Sequence, residues 1–119
     1  MNYTEYWLRR VADQKIANQV LIEIARSDLQ VIMQILVNQF AAQRIILFGS
    51  LVKGKFRDGS DIDLAVAGIP KCEYFTAVAA VNQVTRFWVD LKPIEDLEPH
   101  FLRRVLTTGE CIYEAGIYL

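Results

Sequence analysis

Apolar side chains recur at helical spacing along the N-terminal third of the chain. From about Thr4 to Arg26 no Gly or Pro interrupts this pattern. Ser27 is followed three residues later by Gln30, which is the form of a capping box with Ser at the N-cap. The pattern therefore predicts two helices, one from about Thr4 to Arg26 within the N-terminal segment 1–27, and a second that Ser27 opens and that extends to about Phe40. The apolar positions of the first helix are Tyr6, Trp7, Val11, Ile16, Val20, Leu21 and Ile24.

Short apolar runs predict the strands of a small sheet. Arg44–Phe48 is continuous and apolar after its first residue, as is typical of a buried strand. Ile62–Val66 is a second run, and Phe87–Lys92 is a third that Pro93 ends. Cys111–Tyr113 predicts a short fourth strand.

The segments between these runs predict two further helices and one loop. Glu73–Arg86 has the mixed polarity of a half-buried helix, and Pro99–Thr108 a helix that ends at Gly109. Gly49–Ser60 is rich in glycine and charge, so it predicts a loop with one helical turn after Ser50. This order indicates an α/β (α+β) fold, with helices packed on a small mixed sheet. We expect one domain over 1–119, made of an N-terminal helical extension (1–27) and a core (28–119).

Composition and charge limit the functions open to this chain. Hydrophobic residues make up 53% of it, which is typical of a folded protein rather than a disordered one. A net charge of -1 argues against a protein that coats nucleic acid, so no direct nucleic-acid contact is expected. No run reaches the length of a membrane span, and charges occupy the place of a signal peptide. We expect a cytoplasmic protein whose two cysteines, Cys72 and Cys111, are small core residues.

Three carboxylates carry the candidate chemistry. Asp61 and Asp63 are separated by one residue at the start of the second predicted strand, so they project from the same face. Asp90 interrupts the apolar run of the third predicted strand. If these strands are neighbours, the three acids converge and can hold two Mg²⁺ ions about 3.5–4 Å apart. In such a site Asp90 either ligates a metal ion or accepts the proton of an attacking hydroxyl.

A glycine turn ten residues before Asp61 suits a phosphate ligand. Gly49 lets the backbone approach a phosphate without a Cβ in the way, and Ser50 supplies a hydroxyl and nearby backbone N–H groups. Lys53, together with Lys55 and Arg57, lies close enough in sequence to neutralise a triphosphate. The combination predicts phosphoryl or nucleotidyl transfer. The plainer alternative is a loop of solvated charges beside exposed acids, with Asp90 on an edge strand.

The remaining aromatic residues and the single histidine carry less information. Trp88 and Phe87 are expected in the core rather than stacked on a base. Tyr3, Tyr6 and Trp7 either pack back on the domain or form a surface for a partner. His100 follows Pro99 at a helix start and is given no role.

The segment Gly49-Ser50, followed by ten residues and then Asp61-Ile62-Asp63-Leu64, resembles the signature of the DNA polymerase β-like nucleotidyltransferase superfamily. The sequence motif Gly-Ser-x-x-x-Gly…Ser-Asp-Ile-Asp-Leu is similar to that of the smallest branch of this superfamily, the minimal nucleotidyltransferases. The similarity extends over roughly Leu29 to Glu114 and includes Asp90.

The resemblance implies a palm-like core that uses Mg²⁺ and ATP to transfer AMP to a hydroxyl. Members of this branch are commonly antitoxins of toxin–antitoxin pairs, and their partner is an all-helical ribonuclease of the HEPN class that is adenylylated on a tyrosine. By motif match, Gly49 and Ser50, with Lys53, take the nucleotide-binding role. The catalytic and metal-binding roles fall to Asp61, Asp63 and Asp90.

The chain departs from the family pattern at one place in the phosphate loop. The family often has Arg directly after Gly-Ser and another before the next Gly, where this chain has Leu51 and Lys53. Lys55 or Arg57 are the candidates to compensate. The departure favours an alternative in which the protein neutralises its partner by stoichiometric binding with little catalysis. A third hypothesis, adenylylation of a small molecule, calls for a further substrate-binding domain. A core of this size leaves little chain for an acceptor site, so the acceptor is expected on another molecule.

Overall fold

The computed structural model describes residues 2–116 and begins with a single long helix. Helix α1 extends over Tyr3–Phe40, which is 38 residues. Asn2 is its N-cap and forms a capping box with Glu5. The helix is continuous through Ser27, so the predicted division into two helices is wrong.

The local sequence at Ser27 is used for packing rather than for a helix start. Ala25 and Leu29 are both buried, so the apolar stripe of α1 continues across this point. The carboxylate of Asp28 accepts a hydrogen bond of 2.7 Å from the Thr85 hydroxyl. A capping-box motif competes poorly with an uninterrupted helical pattern that is held on both sides by the core.

Four strands form a mixed sheet, as predicted. The bounds are Arg44–Phe48 for β1, Ile62–Ala67 for β2, Val89–Pro93 for β3 and Glu110–Glu114 for β4. Strands β1 and β2 are antiparallel, as are β1 and β4, whereas β2 and β3 are parallel. The order across the sheet is β3-β2-β1-β4.

Two further helices connect the strands. Helix α2 covers Tyr74–Asn82 after a 3-10 turn at Lys71–Glu73, so it ends earlier than predicted. Helix α3 covers Pro99–Thr108, with Glu98 as the N-cap that accepts hydrogen bonds from two backbone N–H groups. The predicted bounds of α3 are confirmed.

The sheet is covered by different helices on its two faces. Alternate residues of β1 and β2, such as Ile45 and Leu64, pack against α1 and α2 and form the larger core. The other face carries a small cluster of Ile46, Ala65 and Val105, which places α3 over β1. The rest of this second face is the face on which Asp63 lies, because Asp63 and Ala65 are two positions apart on β2.

The N-terminal part of α1 projects from the domain. Every residue over 3–17 is exposed, and the molecule is 58 Å along its longest axis. Among residues 2–116, no helix has both the length and the apolar character that crossing a membrane requires. Trp88, Cys72 and Cys111 are exposed, so the expectation that they belong to the core is wrong.

Candidate active site

The second and third aspartates are register partners on adjacent parallel strands. Asp63 on β2 pairs with Asp90 on β3. Asp61 directly precedes β2, whose first backbone N–H, that of Ile62, donates to the carbonyl of Trp88. Partners in register project to the same side of a sheet. The structure thus brings together the strands that bear the three predicted acids.

Gly49 lies against the carboxylate of Asp63. It follows β1 directly with φ +80°, a conformation that favours glycine. An added Cβ at position 49 would overlap Oδ2 of Asp63 and lie 3.1 Å from its Cγ. The glycine of the Gly-Ser turn is therefore required for two reasons, the backbone angle and the close approach of the acid.

The surroundings of Asp63 disfavour its negative charge. The pKa of this carboxyl is raised from 3.8 to about 6, mainly by burial and in addition by the negative charges of Asp90 and Asp61. Lys92 acts in the opposite direction. The effect of both other aspartates on the pKa of Asp63 reflects their proximity.

Lys92 is the cation that partly balances this acidic face. Its ammonium lies 3.1 Å from Oδ2 of Asp90, two residues before it on β3. Both side chains are a little over one third exposed. The pair leaves Asp63 without a cation of its own at hydrogen-bond distance among the described residues.

Asn82 at the end of α2 fixes the start of β3. Its side-chain amide donates to the carbonyls of Val78 (2.9 Å) and Val89 (3.2 Å), and its carbonyl accepts from the N–H of Val89 (2.8 Å). Val89 precedes Asp90, so these bonds hold the backbone that places Asp90 beside Asp63. This role was not predicted from the sequence.

The loop after Gly49 begins with a single helical-type turn, in which the N–H of residue 53 bonds the carbonyl four residues earlier, and no helix follows it. The N–H of Lys53 donates to the carbonyl of Gly49 (3.2 Å), and that of Lys55 to the carbonyl of Ser50 (2.9 Å). Within residues 2–116, the N–H groups of residues 50–52 donate to no backbone carbonyl and no side-chain acceptor. Consecutive free N–H groups in a turn form an anion-binding concavity.

Two buried side chains attach this loop to the domain. Leu51 is 2% exposed and Phe56 is fully buried, with its ring 5.0 Å from that of Phe87. Leu51 replaces the basic residue common in the resembling family, and its burial shows that this position serves the core. Lys53, Lys55 and Arg57 are exposed.

A cavity of about 420 Å³ adjoins Asp61. It lies between the loop that precedes β2, the segment before β3 and the base of the projecting part of α1. The exposed Trp88 forms part of its wall. The lining residues are Leu21, Asp58, Gly59, Ser60, Asp61, Arg86, Phe87 and Trp88.

The three aspartates carry the oxygen ligands that a hard divalent cation binds. Within residues 2–116, no three His, Cys, Asp or Glu side chains are close enough to form a complete cation site. The oxygen donors of Asp61, Asp63 and Asp90 are nevertheless the ligand type that Mg²⁺ requires. A cation between them would also relieve the repulsion that raises the pKa of Asp63.

Comparison with known proteins identifies the family of this arrangement. The family model described as "Polymerase beta, Nucleotidyltransferase" matches residues 30–116. No curated protein matches the chain by sequence. The matched residues include all four strands, the Gly-Ser turn and the three aspartates.

Solved structures with the same fold agree with this match. A protein assigned as a minimal nucleotidyltransferase shares 25% identity over 75% of this chain and 93% of its own, with a TM-score of 0.66. A toxin–antitoxin structure with AMP-PNP shares 23% identity over 75% of this chain and 74% of its own (TM-score 0.63).

A third structure is a tri-AMPylated HEPN toxin of Shewanella oneidensis in complex with an MNT antitoxin. It shares 20% identity over 76% of this chain and 72% of its own, with a TM-score of 0.60. At such identity the likeness to the two complexes concerns the fold alone. The family match, by contrast, spans most of the chain. It includes the glycine turn and the two aspartates that the structure pairs across β2 and β3. The chain therefore belongs to the polymerase β-type nucleotidyltransferase family.

Proposed function

We propose that this protein is a Mg²⁺- and ATP-dependent nucleotidyltransferase that acts as an antitoxin. In this proposal it transfers AMP to a tyrosine hydroxyl of a cognate all-helical ribonuclease toxin of the HEPN class. The register of Asp63 and Asp90, with Gly49 against Asp63, is the observation that supports it most strongly. The neighbouring structures, which include an AMPylated toxin with an MNT antitoxin, support the choice of partner.

The residues have distinct tasks in the transfer. The hydroxyl oxygen of the acceptor forms a bond to the α-phosphorus of ATP, the bond to the β-phosphate oxygen breaks, and pyrophosphate leaves. In this proposal Asp90 receives the hydroxyl proton, and Lys92, 3.1 Å away, balances the charge of that carboxylate. Ser50 and the free N–H groups of residues 50–52 orient the phosphates.

Asp61, Asp63 and Asp90 would hold the magnesium ions. Bound Mg²⁺ neutralises phosphate charge and lowers the pKa of an acceptor hydroxyl. Gly49 keeps the carboxylate of Asp63 close to the phosphate turn, so the acids and the phosphate-binding backbone share one wall of the site.

The projecting part of α1 supplies the surface for the toxin. Trp7 and Val11 lie eighteen residues before Ala25 and Leu29, which is about five helical turns, so they continue the stripe that is buried in the core. Tyr3 extends that stripe by one further turn. These side chains are 77% (Tyr3), 48% (Trp7) and 53% (Val11) exposed, and a partner helix would cover them.

The position of this surface relative to the acids favours the acceptor protein as its occupant. Leu21, at the base of the projecting part, lines the cavity that also contains Asp61. A helical protein bound along the stripe would thus reach the cavity next to the acids. Its acceptor tyrosine could enter there, between Trp88 and the loop before β2.

One observation favours a second function, which is neutralisation by binding alone. The side chain of Leu51 is buried in the core, so the loop lacks a cation at that position. The projecting helix would suffice for a stoichiometric complex even if transfer were slow.

Growth rescue distinguishes the two functions. The cognate HEPN-class toxin of the proposal is expressed with the wild-type protein or with the double variant Asp61→Asn/Asp63→Asn. If catalysis neutralises the toxin, the double variant fails to restore growth although it still co-purifies with the toxin. Rescue by the double variant equal to that by the wild type would support binding alone and overturn the catalytic proposal.

A further inference from the structure

A second cavity of about 250 Å³ lies between the Gly-Ser turn and α3. Two of its lining residues are cationic, Lys53 from the loop and Arg104 from α3, and no carboxylate lines it. The apolar part of the wall consists mainly of Phe48 and Phe101, whose rings meet edge to face at 5.6 Å. The full lining is Phe48, Gly49, Lys53, Phe101, Arg104, Val105 and Thr108.

The two cations of this cavity have no anionic partner within the described part of the chain. The ion pairs of residues 2–116 use other basic residues, and neither Lys53 nor Arg104 takes part in one. The guanidinium of Arg104 lies over the ring of Phe101 at 5.8 Å, which restricts where the side chain can point. Two unpaired cations in one concave site favour an anionic ligand.

This cavity is continuous with the acidic face. Gly49 lines the cavity and also lies against the carboxylate of Asp63. Phe48, its neighbour in the wall, is the register partner of Asp63 in the antiparallel pairing of β1 and β2. A ligand that lies across Gly49 would therefore have carboxylates at one end and Lys53 and Arg104 at the other.

The position of α3 is fixed by close packing, so Arg104 is held on a rigid element. Val105 is buried against Ile46 and Ala65, and Gly109 at the end of α3 lets the helix approach β1. A Cβ on Gly109 would lie 2.7 Å from Cγ2 of Ile46 and 3.0 Å from the carbonyl oxygen of Leu47. Side chains on packed helices give better defined binding sites than side chains on loops.

We propose that Arg104, together with Lys53, binds the terminal phosphates of a nucleoside triphosphate. The inference rests on the proposed nucleotidyl transfer and adds a residue outside the sequence motif. Arg104 would supply the cation that the loop lacks at Leu51, and its planar guanidinium can bind phosphate oxygens in bidentate fashion. The leaving pyrophosphate would occupy the same place, whereas AMP would not reach it.

Equilibrium binding of ATP, pyrophosphate and AMP in the presence of Mg²⁺ tests this assignment. Arg104→Met should weaken the binding of ATP and pyrophosphate by about 10–100-fold and leave the binding of AMP unchanged, because only the terminal phosphates lose a partner. Arg104→Lys should retain part of the affinity. Arg103→Met is the matched control, since Arg103 is the exposed preceding residue and does not line the cavity.

The outcomes separate this inference from the proposed function. Unchanged ATP affinity in Arg104→Met, an equal loss for ATP and AMP, or an equal loss in Arg103→Met would overturn the role of Arg104. Each of these results is compatible with AMP transfer by the wild type. Conversely, selective loss of ATP binding in Arg104→Met, in a protein that labels no acceptor, would support the phosphate site and overturn the proposed transfer.

Discussion

Gly49 and Asp63 are in such close contact that the glycine has no room for a side chain on the face of the acid. A Cβ at position 49 would overlap Oδ2 of Asp63, and the φ of +80° is itself unfavourable for other residues. This contact joins the turn that binds phosphates in our proposal to the acids that hold Mg²⁺. The two halves of the site therefore depend on one another in structure as well as in chemistry.

Gly49→Ala should lower stability and abolish AMP transfer. The strain of a positive φ costs about 1–2 kcal/mol, and displacement of Asp63 adds to it. Gly54→Ala is the matched control, because Gly54 has a similar φ of +70° and nothing within 4 Å of an added Cβ. Urea unfolding and transfer assays on both variants check this. Equal loss of stability in the two variants would contradict the contact with Asp63.

Asp63→Asn should stabilise the protein in the absence of metal at neutral pH. Because the pKa of Asp63 is raised to about 6, the folded state binds more protons than the unfolded state between about pH 4 and 6. Stability therefore falls as pH rises through this range, and the asparagine variant avoids that loss. After allowance for solvent screening, the gain at pH 7.5 is about 1 kcal/mol.

Thermal unfolding in EDTA at pH 4.5 and 7.5 measures this effect. The difference in melting temperature between Asp63→Asn and the wild type should be several degrees at pH 7.5 and small at pH 4.5. Asp13→Asn, on the exposed part of α1, serves as the control and should not shift the melting temperature at either pH. A difference that is larger at the lower pH would contradict the sign of the pKa shift.

Asn82→Ala should destabilise the protein by about 1–3 kcal/mol, because it leaves both backbone polar groups of Val89 without a partner. Transfer should also slow, since the backbone next to Asp90 loses its anchor. Gln83→Ala is the control at the exposed neighbouring position. Denaturant unfolding measures the loss of stability. Equal unfolding midpoints for Asn82→Ala and Gln83→Ala would show that the hydrogen bonds of Asn82 contribute nothing to stability.

Trp7→Glu should weaken the complex with the toxin while leaving the fold and ATP binding unchanged. Trp7 is exposed on the stripe that continues the buried face of α1. Ile16→Glu is the control, because Ile16 is also exposed but lies on the opposite side of the helix. Surface plasmon resonance against the purified toxin should show faster dissociation for Trp7→Glu only. Equal weakening by both variants would exclude a specific role for the stripe.

Local patterns were sufficient to predict most of the strands and α3. The continuous apolar run of β1 gave its bounds correctly, and Pro99 and Gly109 marked α3 as the structure has it. The division of α1 at Ser27 was wrong because the motif there had the form of a cap, whereas Ala25 and Leu29 are both buried in the core and the helix is continuous. Trp88 was placed in the core because aromatic residues of strands usually are, but it precedes β3 and lines the cavity beside Asp61.

Asp61 and Asp63 were singled out because both lie in one short segment, and Asp90 because it interrupts a later apolar run, but their pairing was not predicted. Asp63 pairs with Asp90 because β2 and β3 are parallel neighbours in the sheet. From the sequence alone it could only be assumed that these two strands are neighbours. The parts of the site contributed by distant helices, Asn82 and Arg104, had no signal of their own. An asparagine near a helix end and an arginine on an exposed helix face are common, and only the fold places them beside Val89 and Lys53.

Transfer of a radiolabel from ATP to the purified toxin tests the central claim most directly. With Mg²⁺ present, the wild type should label the toxin from ATP that carries the label on its α-phosphate, and not from ATP labelled on its γ-phosphate. Asp61→Asn/Asp63→Asn should label it from neither. Labelling from the γ-phosphate, or undiminished labelling by the double variant, would contradict AMP transfer by this carboxylate site.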